Sequence, residues 1–589
     1  MQPAPPAKLY VLIRRVYLDL VGFPPLPQQL DKFVEAAQRN RRAAIEKVVG
    51  ELLDSPHYGE RWGRHWLDIA RYSDGFGGFL DNRNQELSQA WRYRDWVVEA
   101  LNRDVPYNRF IKLQISGDLI GEGRDIFATG FFALGPKYHS DGGDPDSVSQ
   151  AMGETLDDRI DTLTRGLMAI TVSCARCHDH KFDPIPQQDY YSLAGVFNNT
   201  EASELPLAPE DVVKVYQDHQ QKITDIEQKR TDFRKLAKDE GRELTDQEEE
   251  QHKQWEEQVK ELKEESPPKY DFAHVLAETG SEDMPVAIRG DLRKPGEVAP
   301  RRFLKIVAGA DPPPFAKGSG RLELAEAVTS PRNPLTARVI VNRVWMHHFG
   351  KALVRSPSNF GTLGLKPTHP ELLDWLAATF IESGWSLKSL HRLIMASATY
   401  QMSTRFQSLA FSVDGDNELL WRMNPRRMDV ESWRDSLLMV TAELDSERGG
   451  PPVEEITKSK RRTLYAKVSR VGSEFESDEF LRLFDFPSMR ATVSKRPSSI
   501  VPQQFLFLMN SPFMVERAKA LSERLHREAE NDQERIGRAY RLLFSRSPSE
   551  EELQMGIQFL SGSSSRAKLL PWQQYGQVLM SSNEFMYVR

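Results

Sequence analysis

Cysteine is almost missing from this sequence: there are 2 in 589 residues, Cys174 and Cys177. A disulfide framework is excluded, because nothing remains to pair outside that one couple. Long apolar runs are missing too. The stretch from Leu9 to Ile13 stops at Arg14 and Arg15, far short of the roughly 20 residues that cross a bilayer, so no transmembrane segment is expected. Positive charge is not in excess. The formal net charge of −7 makes nucleic acid an unexpected partner and leaves only local basic patches, such as Lys458 to Arg462. The opening residues Met1-Gln2-Pro3-Ala4-Pro5-Pro6 have neither the basic nor the apolar stretch of a signal peptide, so no export signal is expected in the chain as it stands. No repeat with a period of about 20–50 residues recurs.

What is present suits a folded protein. Hydrophobic residues make up 39% and charged residues 28%, the balance of a globular chain that buries cores. The length predicts about three or four compact units.

The two cysteines lie three positions apart and His178 follows the second, giving Cys174-Ala175-Arg176-Cys177-His178. Random placement of 2 cysteines and 13 histidines would produce this attachment pattern with probability on the order of one in ten thousand. Two thiols at this spacing on a helical turn reach both vinyl groups of one porphyrin, and the adjacent imidazole reaches the iron. Cys174, Cys177 and His178 are therefore read as the attachment site of one covalent haem c, with His178 as an axial ligand. Two other chemistries compete. A dithiol pair expects a thioredoxin-like βαβ setting, whereas a helical stretch from Asp157 to Ile170 leads in here and a Pro-rich loop follows. Zinc held by Cys174, Cys177, His178 and His180 needs four-coordination from one short loop, an awkward geometry.

Periodicity predicts a mainly α, multi-domain fold: a helical domain over 1–205, a helical hairpin over 206–266, a small β-rich unit over 267–315 and a second helical domain over 316–589. In the first domain, Asp54-Ser55-Pro56 starts a helix through Tyr72 that carries His57 and His65 near one face. Trp62, Trp66, Tyr72, Trp91, Tyr93 and Trp96 read as core, and Ser73 to Asn84 as a glycine-rich loop. The hairpin pairs a coiled-coil-like helix, Asp211 to Ala237, with a second one opened by a Thr245/Glu248 capping box and stopped by Pro267-Pro268. The β-rich unit has runs at Phe272–Glu278 and Met284–Arg289. The last domain has helices from Asn333-Pro334 to Phe349, from a Thr368/Glu371 cap to Gly384, and over Asp429–Leu444, Gln503–Arg527 and Asp532–Phe544.

Several stretches match a known pattern: Arg14 to Leu20, His57 to Trp62, His65 to Asp68, Trp91 to Trp96 and Cys174 to Tyr191 in the first half, then Val341 to Trp345, Phe349-Gly350, Asn359 to Gly361, His369 to Trp375 and Asn583 to Phe585. On these the chain resembles, over nearly its whole length, a planctomycete cytochrome-like domain followed by its companion planctomycete domain. The resemblance implies a secreted, periplasmic or envelope-associated protein linked to complex polysaccharide breakdown, and brings no established reaction. Many relatives carry a separate cytochrome domain and a signal peptide ahead of this region, and neither is seen here.

The sixth iron position would decide the function, since one protein ligand leaves room for a small molecule and two favour electron transfer. His65, which lies in a matched stretch, heads the candidates, followed by His57, His139, His180 and Met152. The expectation is an extracytoplasmic redox protein, serving electron transfer or an oxidoreductase reaction, with a redox partner protein. A second reading makes the haem structural or sensory and places a polysaccharide or sulfated glycan near acids flanked by aromatics, namely Asp68, Asp74, Asp81 and Asp95. In the same reading Arg426, Arg427 and Asp429 line a cleft for sulfated sugars, arginine forks suiting sulfate as they suit phosphate; otherwise they form no more than an ion-paired helix start. A third makes the hairpin a scaffold's docking arm.

Overall fold

Amphipathic runs closed by proline, glycine and polar caps dictate helices along most of the chain. The computed structural model describes residues 2–75, 87–140, 143–562 and 569–589. It is 57% helical, against roughly one third in an ordinary globular protein, and among the described residues its named strands form three two-stranded sheets. The fold is mainly α. No described helix is long and apolar enough to cross a membrane.

The chain divides into two compact units, one built from 1–202 together with 275–589 and the other from 203–274. The boundaries expected at 205 and 316 thus separate segments that pack as one body. Buried arginines make the connection: Arg14 donates to the carbonyl of Phe585 at 3.0 Å and Arg15 to that of Met402 at 3.0 Å. Arg462 donates to Glu60 at 2.9 Å, Asp435 at 2.8 Å and the carbonyl of Val21 at 2.8 Å. Apart from the Arg462–Asp435 pair, these cross-links join residues hundreds of positions apart, which local pattern does not encode. They also consume much of the expected basic patch, because Arg462 is buried within them and Lys458 pairs with Glu455 at 2.8 Å.

Within the large unit, the His57–Ile69 helix lies against Trp91–Asn102. Gly59 permits the approach, since a Cβ there would stand 2.3 Å from the carbonyl of Val98. Trp62, Trp66, Tyr72, Tyr93 and Trp96 are buried as expected, while Trp91 is only half-buried. The expected helix over Asp157–Ile170 begins earlier, at Pro145, and ends at Leu163; Thr164–Met168 winds as a π-turn that stops at Ala169 in the left-handed region. Pro370, not the Thr368 cap, starts the Pro370–Glu382 helix, with His369 at the cap position. The run over Gln503–Arg527 is two helices, Pro502–Asn510 and Pro512–Glu528, because Pro512 disfavours helical backbone at Ser511, whose side chain caps the second helix. Met284–Ala287 pairs antiparallel with Pro295–Ala299, and Arg426–Arg427 pairs with Tyr587–Val588 near the C-terminus.

The small unit is the helical hairpin, Glu210–Asp239 and Asp246–Glu264. Thr245 and Glu248 form the predicted capping box. Phe233 meets Trp255 edge-on at 5.5 Å, and Lys263 pairs with Glu227 at 2.7 Å across the two helices.

Candidate functional site

The Cys-x-x-Cys-His segment forms one short turn, Ser173–Arg176 being 3-10 helix and Cys177 its cap. Both thiols are free and exposed. The Nδ1 of His178 lies 2.7 Å from the carbonyl of Asp179; a carbonyl only accepts, so Nδ1 carries the proton and Nε2 keeps its lone pair. Gly290 passes directly over Cys177, where a Cβ would sit 2.7 Å from Sγ. The following loop folds back, with the His180 amide donating to the carbonyl of Ile185 at 2.9 Å. The carboxylate of Asp183 then accepts from the Thr362 amide at 2.7 Å, so the loop around the matched Asn359-Phe360-Gly361 stretch docks beside the turn. Phe182, Ile288, Leu363 and Leu365 are exposed on these flanking segments.

These features fit a haem c. The sulfurs are unpaired and accessible, the imidazole presents a fixed tautomer, and the flanking segments expose apolar side chains. Zinc fits less well, because His180 Nδ1 already accepts from the Asp183 amide at 2.8 Å. Among the described residues no group of three or more His, Cys, Asp or Glu side chains is placed to hold a metal ion.

A second constellation lies elsewhere in the large unit. One face of the His57–Ile69 helix presents Arg61, His65 and Asp68, spaced about one turn apart, and one face of Thr336–Phe349 presents Ile340, Val344 and His347. Together with 426–430 and 493–498 they enclose a cavity of about 270 Å³. The rings of His65 and His347 stack with centroids 3.7 Å apart. Burial pushes His347 down to about 3, Arg61 adding to the effect, and pushes His65 well below its ordinary value, helped by His347 and Arg61. Both are neutral at pH 7. Arg496 clamps two buried carboxylates, Asp68 at 2.6 Å and Glu431 at 2.8 Å. Burial alone would raise the Asp429 carboxyl; Arg61, at 2.7 Å, and Arg496 override it and hold it well below the usual range.

Behind this wall lies a buried histidine chain. Asp19 accepts from Tyr400 at 2.8 Å and faces His348 Nδ1 at 3.3 Å, and His348 Nε2 lies 2.8 Å from His391 Nδ1. A carboxylate only accepts, so the protons sit on His348 Nδ1 and His391 Nδ1, leaving His391 Nε2 without a partner among the described residues. Trp62 touches four imidazoles, those of His65, His347, His348 and His391, at centroid distances of 4.1–5.7 Å.

The candidate residues therefore scatter. His65 and Asp68 line the cavity together with Arg426, Arg427 and Asp429, whereas Cys174, Cys177 and His178 do not. His57 pairs with Glu60 at 2.6 Å. His139 and Met152 line a separate open groove, and His180 is held within its own loop. Asp74 accepts from Tyr72 at 2.6 Å and from the Val468 amide at 3.0 Å, and Asp95 accepts from Arg94 at 2.9 Å; both are structural. Asp81 lies outside the described residues. Arg426 pairs with the buried Asp19, and Asp429 caps the Val430–Val440 helix while pairing with Arg61, so the ion-paired helix start and the cavity wall are the same residues. Sequence reasoning missed Arg61, His347 and Arg496. The His347-His348 pair beside a matched stretch was a signal for the second of these; Arg496 gave none.

The fold is that of a mainly helical, multi-domain protein. Residues 1–202 match the family model PSCyt2, a protein of unknown function (DUF1549), and residues 320–560 match PSD1, a protein of unknown function (DUF1553). In that order they are the planctomycete PSCyt/PSD architecture, and the chain belongs to this family. No curated protein and no solved structure matches the chain. The cavity draws on both matched regions, His65 from the first and His347 from the second.

Proposed function

We propose that the protein is an extracytoplasmic c-type haem protein with a redox function, carrying one haem on Cys174 and Cys177 with His178 as an axial ligand. The observation that supports this most is the whole cysteine inventory lying free and exposed on one turn beside His178, whose Nδ1 is already held by the Asp179 carbonyl. A bound haem would supply one-electron chemistry at a potential set by its ligands and surroundings. The protein's own part is to fix the thiols, orient the imidazole and offer the apolar side chains of Phe182, Ile288, Leu363 and Leu365 around the ring. Exposure of the turn suits a reaction with a redox partner protein.

The test is expression with a periplasmic c-type maturation system, haem staining of a denaturing gel and an optical spectrum, beside a Cys174→Ala/Cys177→Ala variant. A haem band absent from the variant, with a Soret band that shifts on dithionite, supports the reading. Folded, matured protein without covalent haem overturns it.

A further inference from the structure

The cavity between the His57–Ile69 and Thr336–Phe349 helices shares no residue with the cysteine turn, and its free groups have no structural task. His65 and His347 line it and form no hydrogen bond among the described residues; their contacts are ring contacts with each other and with Trp62. Lys495 also lines it, exposed and without an ion pair among the described residues. An imidazole placed only for packing is easily replaced by an apolar ring. Two of them, face to face and open to a cavity, leave polar capacity unused.

The charges around the cavity choose the sign of a ligand. Six arginine and lysine side chains line it, against the carboxylates of Asp68, Asp429 and Asp485. Every one of these carboxylates is already engaged: Asp68 by Arg496 and Arg64 at 2.6 and 2.7 Å, Asp429 by Arg61 at 2.7 Å, and Asp485 by the Ser499 amide and hydroxyl at 2.9 and 2.5 Å. Among the described residues no lining carboxylate is left to receive a cation, and Glu431 and Asp19 behind the wall do not cancel the positive excess. The remaining wall is apolar and aromatic, including Trp62, Trp66 and Phe110. Apolar walls with a few convergent polar groups are the ordinary make-up of a small-molecule site.

We infer that this cavity binds a small organic oxyanion, its acid group held by His65, His347 and Lys495 and its apolar body packed against Trp62, Trp66 and Phe110. Imidazole N–H groups and an ammonium donate to such an oxygen, and desolvation inside the cavity strengthens each bond. The shared chemistry is an oxyanion on an apolar ring; carboxylate, phosphate and sulfate esters are its possible sources.

Isothermal titration of the full chain with benzoate, phenyl phosphate and phenyl sulfate separates these sources, with phenol and inorganic phosphate as controls. At least one aromatic oxyanion is expected to bind one to one, about tenfold or more tighter than phenol and inorganic phosphate. His65→Phe and His347→Phe are each expected to weaken that binding by about tenfold. Lys495→Ala, at an exposed position that does not threaten folding, is expected to weaken it severalfold, and Lys253→Ala in the hairpin to leave it unchanged. The inference is overturned if none of the three oxyanions binds more tightly than phenol, or if the Lys495 variant and the folded histidine variants bind like the parent. Equal binding by the Cys174→Ala/Cys177→Ala variant keeps this outcome separate from the haem reading.

Discussion

Acid should weaken this protein through its buried imidazoles well before its carboxylates respond. His348 is fully buried, and burial pushes it down to about 3, against about 6.5 in an unfolded chain. Between those values the unfolded state binds the proton and the folded state does not. Stability is therefore lost as the pH falls below about 6.5, and the loss grows until about pH 3. From pH 7.5 to pH 5 this one group costs about 2 kcal/mol. His65, His347 and His391 shift in the same direction, each chiefly by burial. Glu60 behaves differently. Burial would raise it, but Arg462 and the hydrogen bonds from His57 and Tyr465 hold it at about 2, so its contribution survives down to about pH 4.5 and fails only below that. Asp74 and Asp157, raised by burial, act in the opposite sense to the histidines.

A variant pair removes these common terms. Guanidinium unfolding followed by tryptophan fluorescence at pH 7.5, 6 and 5 gives the stability of the parent and of His348→Gln, whose amide can still donate to Asp19 but does not titrate. The parent should lose about 2 kcal/mol more than the variant between pH 7.5 and pH 5. Parallel pH dependences for the two proteins would refute the reasoning, because His348 would then not be a buried neutral base.

Arg496→Met deprives Asp68 and Glu431 of their shared guanidinium and should cost about 3 kcal/mol, the low end of the range for a broken buried pair because Arg64 still holds Asp68 at 2.7 Å; a urea-midpoint change below about 1 kcal/mol would count against the clamp. Gly290→Ala places a methyl group 2.7 Å from Cys177 Sγ, at a φ of +78° that favours glycine. It should lower covalent haem per chain under c-type maturation while circular dichroism stays unchanged; full loading would show that Gly290 does not guard the thiol. Thr245→Ala removes the capping box and should destabilise the 203–274 unit by about 1 kcal/mol, read as faster amide exchange in Asp246–Glu264 with protection in the large unit unaltered.

The sequence by itself determined what local chemistry controls. The mainly α class followed from helical periodicity, and the hairpin from Gly241, the Thr245/Glu248 box and Pro267-Pro268. The cysteine turn was legible because its three residues fall within five consecutive positions. The single run read over Gln503–Arg527 failed for the converse reason: its apolar spacing continues through Ser511, and the backbone restriction imposed by Pro512 overrides it.

Only the tertiary structure decided that 1–202 and 275–589 form one unit, because its cross-links are buried arginines whose partners lie hundreds of residues away. It alone separated Asp68, in the cavity wall, from Asp74 and Asp95, which serve the fold, although all three look alike in sequence as acids near aromatics. It also stacked His65 on His347 and set Arg496 between Asp68 and Glu431. A motif whose members lie within a few residues is fixed by the covalent chain, whereas a cavity assembled from distant segments exists only once long-range packing has paid the entropy of bringing them together.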